Sequence, residues 1–205
     1  MSGETSRVWL LDKYTGEMVE ALLADGITES HLEDAELHWK PALVEGLRRL
    51  KAQGTPLKEW PQSRHWNWRN KLEYVRDLLA YRGFAIECEG RAQGLMLVKT
   101  TEVCHLPEQK GKPLVYVDYL ETAPWNQREL FERPRFGGIG TVMLAAAIAL
   151  SLEEEFSGRI GLHSLPQSEK FYLSCGMKSL GPDAYKESLC YFEMEPAGAT
   201  AFLGK

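Results

Sequence analysis

The segment RFGGIGT, residues 135–141, determines how the rest of the chain is interpreted. It follows the most strand-like stretch of the sequence, LVYVDYLET at residues 114–122, and precedes an apolar run at residues 142–152. Glycine allows the backbone to turn tightly and to approach a ligand closely. The N–H groups and the positive dipole end at the start of a helix bind phosphate. The segment is therefore predicted to be a pyrophosphate-binding loop at the beginning of a helix.

Two other kinds of phosphate-binding loop are excluded by their spacing. A P-loop requires Gly-Lys-Ser/Thr, whereas Gly140 is followed by Thr141 and Val142. A dinucleotide-binding loop requires G-x-G-x-x-G, and Met143 occupies the position of its third glycine. That loop also needs an acidic residue at the end of the next strand, and the strand predicted at residues 159–165 ends without one.

The pattern Arg135-x-x-Gly138-x-Gly140 resembles the coenzyme A motif R/Q-x-x-G-x-G/A of the GNAT N-acetyltransferase superfamily. Two flanking segments agree with this resemblance. The segment LETAP at residues 120–124 is similar to the strand-then-proline signature of the family. The segment FYLSCGM at residues 171–177 resembles its tyrosine-x-x-x-glycine-aromatic/apolar segment. The strand and helix predicted between them come in the order that the family requires.

The resemblance covers residues 83–195, and residues 1–82 match only loosely, as the divergent acceptor-side portion of such a protein. The chain departs from the family pattern at two places. Eight extra residues, QRELFERP at 127–134, separate the strand end from the motif, where the family usually has a short connection. Leu165 stands where many members carry an asparagine. The insertion is therefore expected to shape the phosphate pocket or to reach over it.

Hydrophobic periodicity predicts a mixed α/β sheet with an antiparallel first half and a βαβ core. The resemblance implies an α+β GNAT fold: a splayed, mostly antiparallel central sheet with flanking helices and a βαβ coenzyme A-binding core. We expect one domain over residues 1–205, with a mostly helical acceptor-side portion at 1–82. The predicted strands are residues 7–11, 84–89, 93–100, 114–122, 159–165 and 188–195, and the predicted helices are 29–52 with a break at Pro41, 68–81 capped by Asn67 or Ser63, 137–156 and 167–175.

The resemblance also implies where the acyl donor, acetyl-CoA, would bind. Its pantetheine would lie between the parting ends of two strands and pair with the backbone of residues 120–122. Its phosphates would bind the N–H groups of residues 136–141. The implied coenzyme-binding residues are Leu120, Thr122, Arg135, Phe136, Gly137, Gly138, Ile139, Gly140 and Thr141.

Acetyl transfer to an amine needs a proton acceptor for the amine and a proton donor for the leaving thiolate. Tyr172 aligns with the tyrosine acid of the family. Glu121 is favoured as the base because it lies nearest the expected thioester, and Asp118 on the same strand is the alternative. His65 is a third candidate base. Cys175 could indicate an acyl-enzyme, but its position one turn after Tyr172 favours a packed thiol.

The segment WPQSRHWNWR, residues 60–69, holds three tryptophans in ten residues. Two interpretations remain open: a loop whose aromatic side chains cover the edge of the core, and a wall of the acceptor site. The expected activity is an N-acetyltransferase that acts on a primary amine in a ternary complex. The alternatives are a non-catalytic acyl-CoA-binding sensor or assembly module, and a protein lysine or N-terminal acetyltransferase.

The amino-acid composition limits the kinds of binding partner and the cellular location that we expect. Lys and Arg number 24 against 29 Asp and Glu, a net charge of −5, which argues against nucleic-acid binding. No apolar run reaches the ~20 residues of a membrane span, and no secretory signal is visible. No CxxC pair occurs among the four cysteines, which are Cys88, Cys104, Cys175 and Cys190. We therefore expect reduced thiols, no bound metal and a cytoplasmic location. The expected partner is an amine acceptor, small molecule or protein, and a homodimer is left open.

Overall fold

The computed structural model describes residues 4–204, which contain nine strands and six α-helices. Residues 1–3 and 205, which the predicted domain includes, lie outside the described residues, and a single domain stays a prediction. The strands are β1 (Thr5–Asp12), β2 (Met18–Asp25), β3 (Tyr81–Cys88), β4 (Arg91–Val103), β5 (Pro113–Thr122), β6 (Phe136–Gly137), β7 (Ile160–Ser164), β8 (Lys178–Asp183) and β9 (Leu189–Met194). The α-helices are α1 (Glu29–Asp34), α2 (Lys40–Ala52), α3 (Trp68–Val75), α4 (Ile139–Glu153), α5 (Glu169–Ser174) and α6 (Pro196–Leu203).

All nine strands belong to one sheet, in the order β6-β1-β2-β3-β4-β5-β7-β9-β8. The pairs β1–β2, β1–β6, β2–β3, β7–β9 and β8–β9 are antiparallel, and β5–β7 is parallel. A parallel pair needs a crossover connection, which α4 provides. The predicted fold class, a mostly antiparallel sheet with a βαβ core, is confirmed.

The parallel strands β5 and β7 separate at their carboxyl ends. In the described residues their register runs from Val115 opposite Ile160 to Val117 opposite Leu162. Strand β5 then continues to Thr122, whereas the last residues of β7 pair with β9. The predicted splay is therefore present, and it leaves backbone groups of β5 beyond Val117 without a ladder partner on the β7 side.

The chain divides into two compact units. The first consists of residues up to Leu79, Gly83–Met96 and Leu120–Gly140, and the second consists of Ala80–Arg82, Leu97–Tyr119 and the residues from Thr141 onward.

The first unit contains a helical run in three parts. Helix α1 passes into a π-helical turn, Ala35–Trp39, and this turn passes into α2. Pro41 lies in the first turn of α2, where a missing N–H group is tolerated. The predicted break in the helix is confirmed, and the wider turn accommodates it. Trp39 is buried, and its Nε1–H donates to the carbonyl oxygen of Ala92 at 3.0 Å.

The second unit is built around α4, whose buried side chains confirm the predicted core helix: Met143, Leu144, Ala147, Ile148 and Leu150. In the same unit Glu193 is fully buried and its carboxylate accepts hydrogen bonds from the backbone N–H groups of His105 and Leu106 and from Gln109. These donors satisfy a charge that would otherwise be costly to bury. His105 thus has a structural role beside Cys104.

Sequence reasoning missed β2, β6, β8 and α6 and misplaced one helix end. Helix α3 ends at Val75 because the next backbone hydrogen bonds span three residues instead of four. The N–H of Leu78, for example, donates to the carbonyl oxygen of Val75 at 3.0 Å. The predicted end at Tyr81 is wrong, since that residue opens β3. Asn67 is the cap, accepting from the N–H of Asn70 at 3.0 Å.

The four cysteines are free thiols, as expected. None of the helices described between residues 4 and 204 has the length and apolar character that a membrane crossing requires.

Candidate active site

The glycine-rich segment is part strand and part helix. Phe136 and Gly137 form β6 and pair with the end of β1. The N–H of Phe136 donates to the side-chain oxygen of Asn126 at 2.9 Å. Gly138 is exposed and has φ +93°, a left-handed conformation that favours glycine, and α4 begins at the next residue. A Cβ atom at Gly138 would meet only Leu10, at 3.9 Å, so space is open there.

Arg135, the first residue of the motif, is bound by carboxylates of its own unit. Its Nη2 lies 2.7 Å from Glu89 and its Nε 3.7 Å from Asp12. The guanidinium also lies over the ring of Phe136, 4.7 Å from its centroid. These contacts fix the position of the chain before the glycines. They also pair the positive charge of Arg135 with carboxylates, so that this charge is less available to a phosphate.

The end of β5 contacts the start of the insertion. The side-chain Nε2 of Gln127 donates to the carbonyl oxygen of Thr122 at 2.7 Å. The N–H of Ala123 donates to the carbonyl oxygen of Gln93 at 2.9 Å. Thr122, one of the residues predicted to pair with pantetheine, therefore has its carbonyl group engaged by residue 127.

Glu121 lies at the end of β5 with its carboxylate held by the tryptophan-rich segment. The Nε1–H of Trp68 donates to Glu121 Oε2 at 2.7 Å, and the hydroxyl of the buried Ser63 also hydrogen-bonds the carboxylate. Burial raises the pKa of Glu121 to about 7, against the lowering effect of both hydrogen bonds and of the positive charge of Lys71. A carboxylate poised near neutrality is what a general base needs.

A small cavity of about 30 Å³ adjoins this carboxylate. It has room for one or two water molecules. Its lining combines indole rings with charged side chains: Leu32, Ala35, Glu36, Trp39, Lys40, Leu43, Ser63, Trp66, Asn67, Trp68, Arg69, Glu121 and Pro124. Residues 60–69 line this cavity, and both interpretations of the segment, a cover for the edge of the core and a wall of the acceptor site, stay predictions.

Arg69 fixes the tryptophan-rich segment to the helical run before it. Its guanidinium donates to both carboxylate oxygens of Glu29, at 2.6 and 3.0 Å, and to both of Glu36, at 3.0 and 3.1 Å. The ring of Trp66 stands edge-on to Trp68, with centroids 6.5 Å apart, and carries the ammonium of Lys71 over its face at 4.5 Å. Trp68, which donates the hydrogen bond to Glu121, is therefore positioned by its contact with Trp66 and by the ion pairs of the adjacent Arg69.

The other candidate acid–base residues lie in the second unit. Asp118 accepts a hydrogen bond from the hydroxyl of Tyr81 at 3.2 Å. Tyr172 is buried, packs against Phe171 and Phe192, and has its pKa raised by burial and by Cys175. It therefore keeps its proton at neutral pH. Their roles as alternative base and as acid stay predictions.

Sequence reasoning did not single out Ser63 as a partner of Glu121, nor Lys13 as a neighbour of the glycine-rich segment. Both contacts join residues far apart in the chain. The presence of several indole N–H groups in residues 60–69 was the available signal for Trp68, because a buried indole usually finds an acceptor. His65 has no contact here that assigns it a catalytic role.

Comparison with solved structures identifies the fold. The GNAT domain of an S. lividans protein, PAT, matches 93% of this chain and 96% of its own at 14% identity, with a TM-score of 0.54. A GNAT-family acetyltransferase from Listeria monocytogenes matches 86% and 95% at 17% identity, with a TM-score of 0.50. An N-acyl amino acid synthase from uncultured soil microbes matches 88% and 94% at 10% identity, with a TM-score of 0.51.

No protein-family model and no curated protein sequence matches the chain. The similarity at these identities concerns the backbone alone. The chain therefore has a GNAT-like fold over most of its length, as the sequence resemblance implied.

Proposed function

We propose that the protein is an N-acetyltransferase that transfers an acetyl group from acetyl-CoA to a primary amine by direct attack in a ternary complex. The observation that carries the proposal is Glu121, a half-buried carboxylate with a pKa of about 7 beside a small cavity. The GNAT-like fold supports acyl transfer as the reaction class. A small-molecule or protein amine as acceptor and a cytoplasmic location belong to the same proposal.

Glu121 serves as the base in this proposal. An amine attacks a thioester carbonyl only when it is neutral, so an ammonium must first lose a proton. With a pKa of about 7, the Glu121 carboxylate is largely ionised above neutrality and can accept that proton. The adjoining cavity of about 30 Å³ can hold the water that would relay it.

Tyr172 serves as the donor to the departing thiolate. Burial raises its pKa, so the hydroxyl holds its proton and offers a hydrogen bond to the developing negative charge. The new amide then forms as the carbon–sulfur bond breaks, the amine proton passes to Glu121, and the thiolate takes the hydroxyl proton of Tyr172, which a proton from solvent then replaces. Asp118 remains the alternative base.

The donor phosphates are assigned to the backbone of residues 138–141. The first N–H groups of a helix have no partner within it, and α4 begins at Ile139. Phe136 already donates its N–H to Asn126, and Arg135 already pairs with Glu89, so both serve to fix the segment. Leu120 stays a candidate for backbone pairing with pantetheine.

The test is thiol release from acetyl-CoA in the presence of polyamines, amino acids, aminoglycosides and peptides. We expect one acceptor class to release thiol, and Glu121→Gln to reduce the rate most above pH 7, where the wild-type carboxylate is ionised. Glu59→Gln, an exposed carboxylate of the same unit, is the matched control. Thiol release by Glu121→Gln at the wild-type rate would remove Glu121 from the mechanism.

The cavity volume favours a second candidate function, acyl-CoA binding without turnover. A volume of about 30 Å³ is far below the roughly 300–1,000 Å³ of small-molecule sites. A sensor or assembly module would bind acetyl-CoA tightly and release no thiol with any amine. A protein acetyltransferase would instead accept peptides and reject free amino acids.

A further inference from the structure

The β1–β2 turn contacts the insertion at residues 127–134, and these two segments together carry three cations. The hydroxyl of Tyr14, in that turn, donates to the carbonyl oxygen of Arg133 at 3.0 Å. The guanidinium of Arg133 lies over the same ring, 5.8 Å from its centroid. Lys13 immediately precedes Tyr14 in the chain, and Arg128 lies near enough to influence it electrostatically.

Lys13 lies against the glycine-rich segment. A Cβ atom added at Gly137 would be 2.9 Å from Lys13 Cε and 3.8 Å from its Nζ. Glycine at this position therefore lets the lysine side chain lie along β6. Burial and the positive charge of Arg128 both lower the pKa of Lys13. These two like charges repel each other, and a bound anion would reduce that repulsion.

Within residues 4–204, no ion pair involves Lys13, Arg128 or Arg133. The neighbouring arginines differ: Arg135 pairs with Glu89 and Arg49 with Glu45. All three side chains are exposed, so they are available to an incoming anion.

A cavity of about 370 Å³ adjoins the cluster. This volume lies within the range of small-molecule sites. The guanidinium of Arg49 lies 4.9 Å from the centroid of the Phe131 ring, which fixes one wall. The lining comprises Tyr14, Arg49, Leu50, Gln53, Arg128, Glu129, Leu130, Phe131, Glu132 and Arg133. Glu129 and Glu132 are the carboxylates in this lining, and they oppose anion binding.

We infer that Lys13, Arg128 and Arg133 form a phosphate-binding site between the β1–β2 turn and the insertion. Arginine offers a planar set of N–H donors that matches phosphate oxygens, and lysine adds a compact charge. The phosphate group belongs either to the nucleotide end of the acyl donor or to a separate phosphate compound. The first source rests on the proposed function, and the second is independent of it.

Calorimetry with inorganic pyrophosphate tests the site on the full chain at low ionic strength. We expect the variant Lys13→Gln/Arg128→Gln/Arg133→Gln to bind at least ~10-fold more weakly than the wild type. The control variant Lys110→Gln/Lys112→Gln/Lys186→Gln loses the same charge from exposed positions elsewhere and should bind within about twofold of the wild type. Glu129→Gln/Glu132→Gln should bind more tightly, because it removes the opposing carboxylates.

Two results would overturn the inference. One is wild-type protein that does not bind millimolar pyrophosphate, and the other is equal binding by the cluster variant and the charge-matched control. Circular dichroism of each variant verifies the fold, and single substitutions replace the triple variant if it fails to fold.

A second pair of titrations identifies the source of the phosphate. If the cluster variant loses affinity for acetyl-CoA but keeps its affinity for acetyl-pantetheine, the site binds the nucleotide end of the donor. If it loses pyrophosphate and keeps acetyl-CoA, the site binds a separate phosphate compound. Either result supports the site. Neither titration measures acyl transfer, so failure of the proposed reaction would leave the conclusion standing.

Discussion

The hydrogen bond from Trp68 to Glu121 sets the basicity of the carboxylate. It stabilises the ionised form, so Trp68→Phe should raise the pKa of Glu121 further above about 7. The acidic limb of kcat/KM would then move to higher pH. Carbon-13 NMR titration of the Glu121 carboxyl group measures the same shift without substrate. Trp60→Phe, whose indole donates to the carbonyl oxygen of Thr55 instead, is the control.

An unchanged Glu121 titration in a folded Trp68→Phe protein would contradict this assignment. A mere loss of packing would lower stability without moving the titration.

The raised pKa of Glu121 also makes stability depend on pH. Its native pKa of about 7 lies above the ordinary glutamate pKa of 4.5, so between these pH values the native state holds the proton more tightly than the unfolded chain. Stability from this group is present below pH 4.5 and is lost as pH rises to about 7. Glu121→Gln should therefore become more stable than wild type above pH 7, by up to ~3 kcal/mol at ~1.4 kcal/mol per unit.

Urea unfolding at pH 4.5 and pH 8 measures this difference. If the stability of Glu121→Gln relative to wild type is the same at both pH values, the carboxyl group does not carry the raised pKa.

Tyr172 offers a test that separates chemistry from packing. Tyr172→Phe keeps the ring against Phe171 and Phe192 and removes only the hydroxyl. Coenzyme affinity should hardly change, while turnover should fall by ~10²–10⁴-fold, the range of one acid–base group. Tyr185→Phe, at a side chain 97% exposed, is the matched control. Turnover within threefold of wild type would leave water or substrate as the proton source.

At the level of elements, the insertion packs closely against α2 through Leu130. Leu130 is buried, and a Cβ atom at Gly46 would lie 2.9 Å from its Cδ2 and 3.0 Å from its Cβ. Gly46→Ala should therefore destabilise the wild type, because overpacking costs ~1–3 kcal/mol. The higher helix propensity of alanine offsets ~1 kcal/mol of that cost. In a Leu130→Ala background the Cδ2 contact is gone but the 3.0 Å contact with Cβ remains, so the same change should destabilise the protein less than it does in the wild type.

Chemical unfolding of the two single variants and the double variant gives the coupling energy. Equal effects of Gly46→Ala in both backgrounds would mean that the insertion does not rest on α2 in solution.

Elements with strong local patterns could be predicted from the sequence, and those that depend on neighbours could not. Strand β5 is rich in β-branched and aromatic residues and helix α4 is mostly apolar, so their assignment needed no tertiary information. Strand β6 has only two residues and exists through its pairing with β1. Strand β8 is largely exposed and includes a proline, which local rules assign to a turn.

The candidate site was predictable in part for the same reason. Glu121 follows from its place at the end of a strong strand, and the glycine-rich segment from its spacing. The bond between Trp68 and Glu121 joins residues 53 apart, and no periodicity conveys such a contact. The pairing of Arg135 with Asp12 and Glu89 likewise depends on the sheet bringing these residues together.

For the whole molecule, binding of the donor should appear as thermal stabilisation. A ligand that binds only the native state adds RT ln(1 + [L]/Kd), ~2.7 kcal/mol at ~100-fold excess over Kd. For a chain of this length we expect acetyl-CoA to raise the Tm by about 5–10 °C. Differential scanning calorimetry with and without acetyl-CoA measures the shift.

Gly140→Asp is the variant to compare. A carboxylate in the first turn of α4 suits the helix dipole but repels phosphate, so the fold should persist and the shift should disappear. Gly138 is less suitable because its φ of +93° would strain any side chain. No shift in the wild type at millimolar acetyl-CoA would contradict the proposed donor.

The π-helical turn at Ala35–Trp39 makes this part of the chain tolerant of a change in length. Its hydrogen bonds close from residue i to residue i+5, so it holds one residue more than an α-helical turn. Loss of one residue from this turn would therefore leave a regular helix with α1 and α2 in their present rotation about the axis. The buried side chains of His31 and Leu32 would keep their places. A residue lost from the regular turns of α2 would instead rotate α1 by about 100° against the rest of α2 and dismantle the wall behind Glu121.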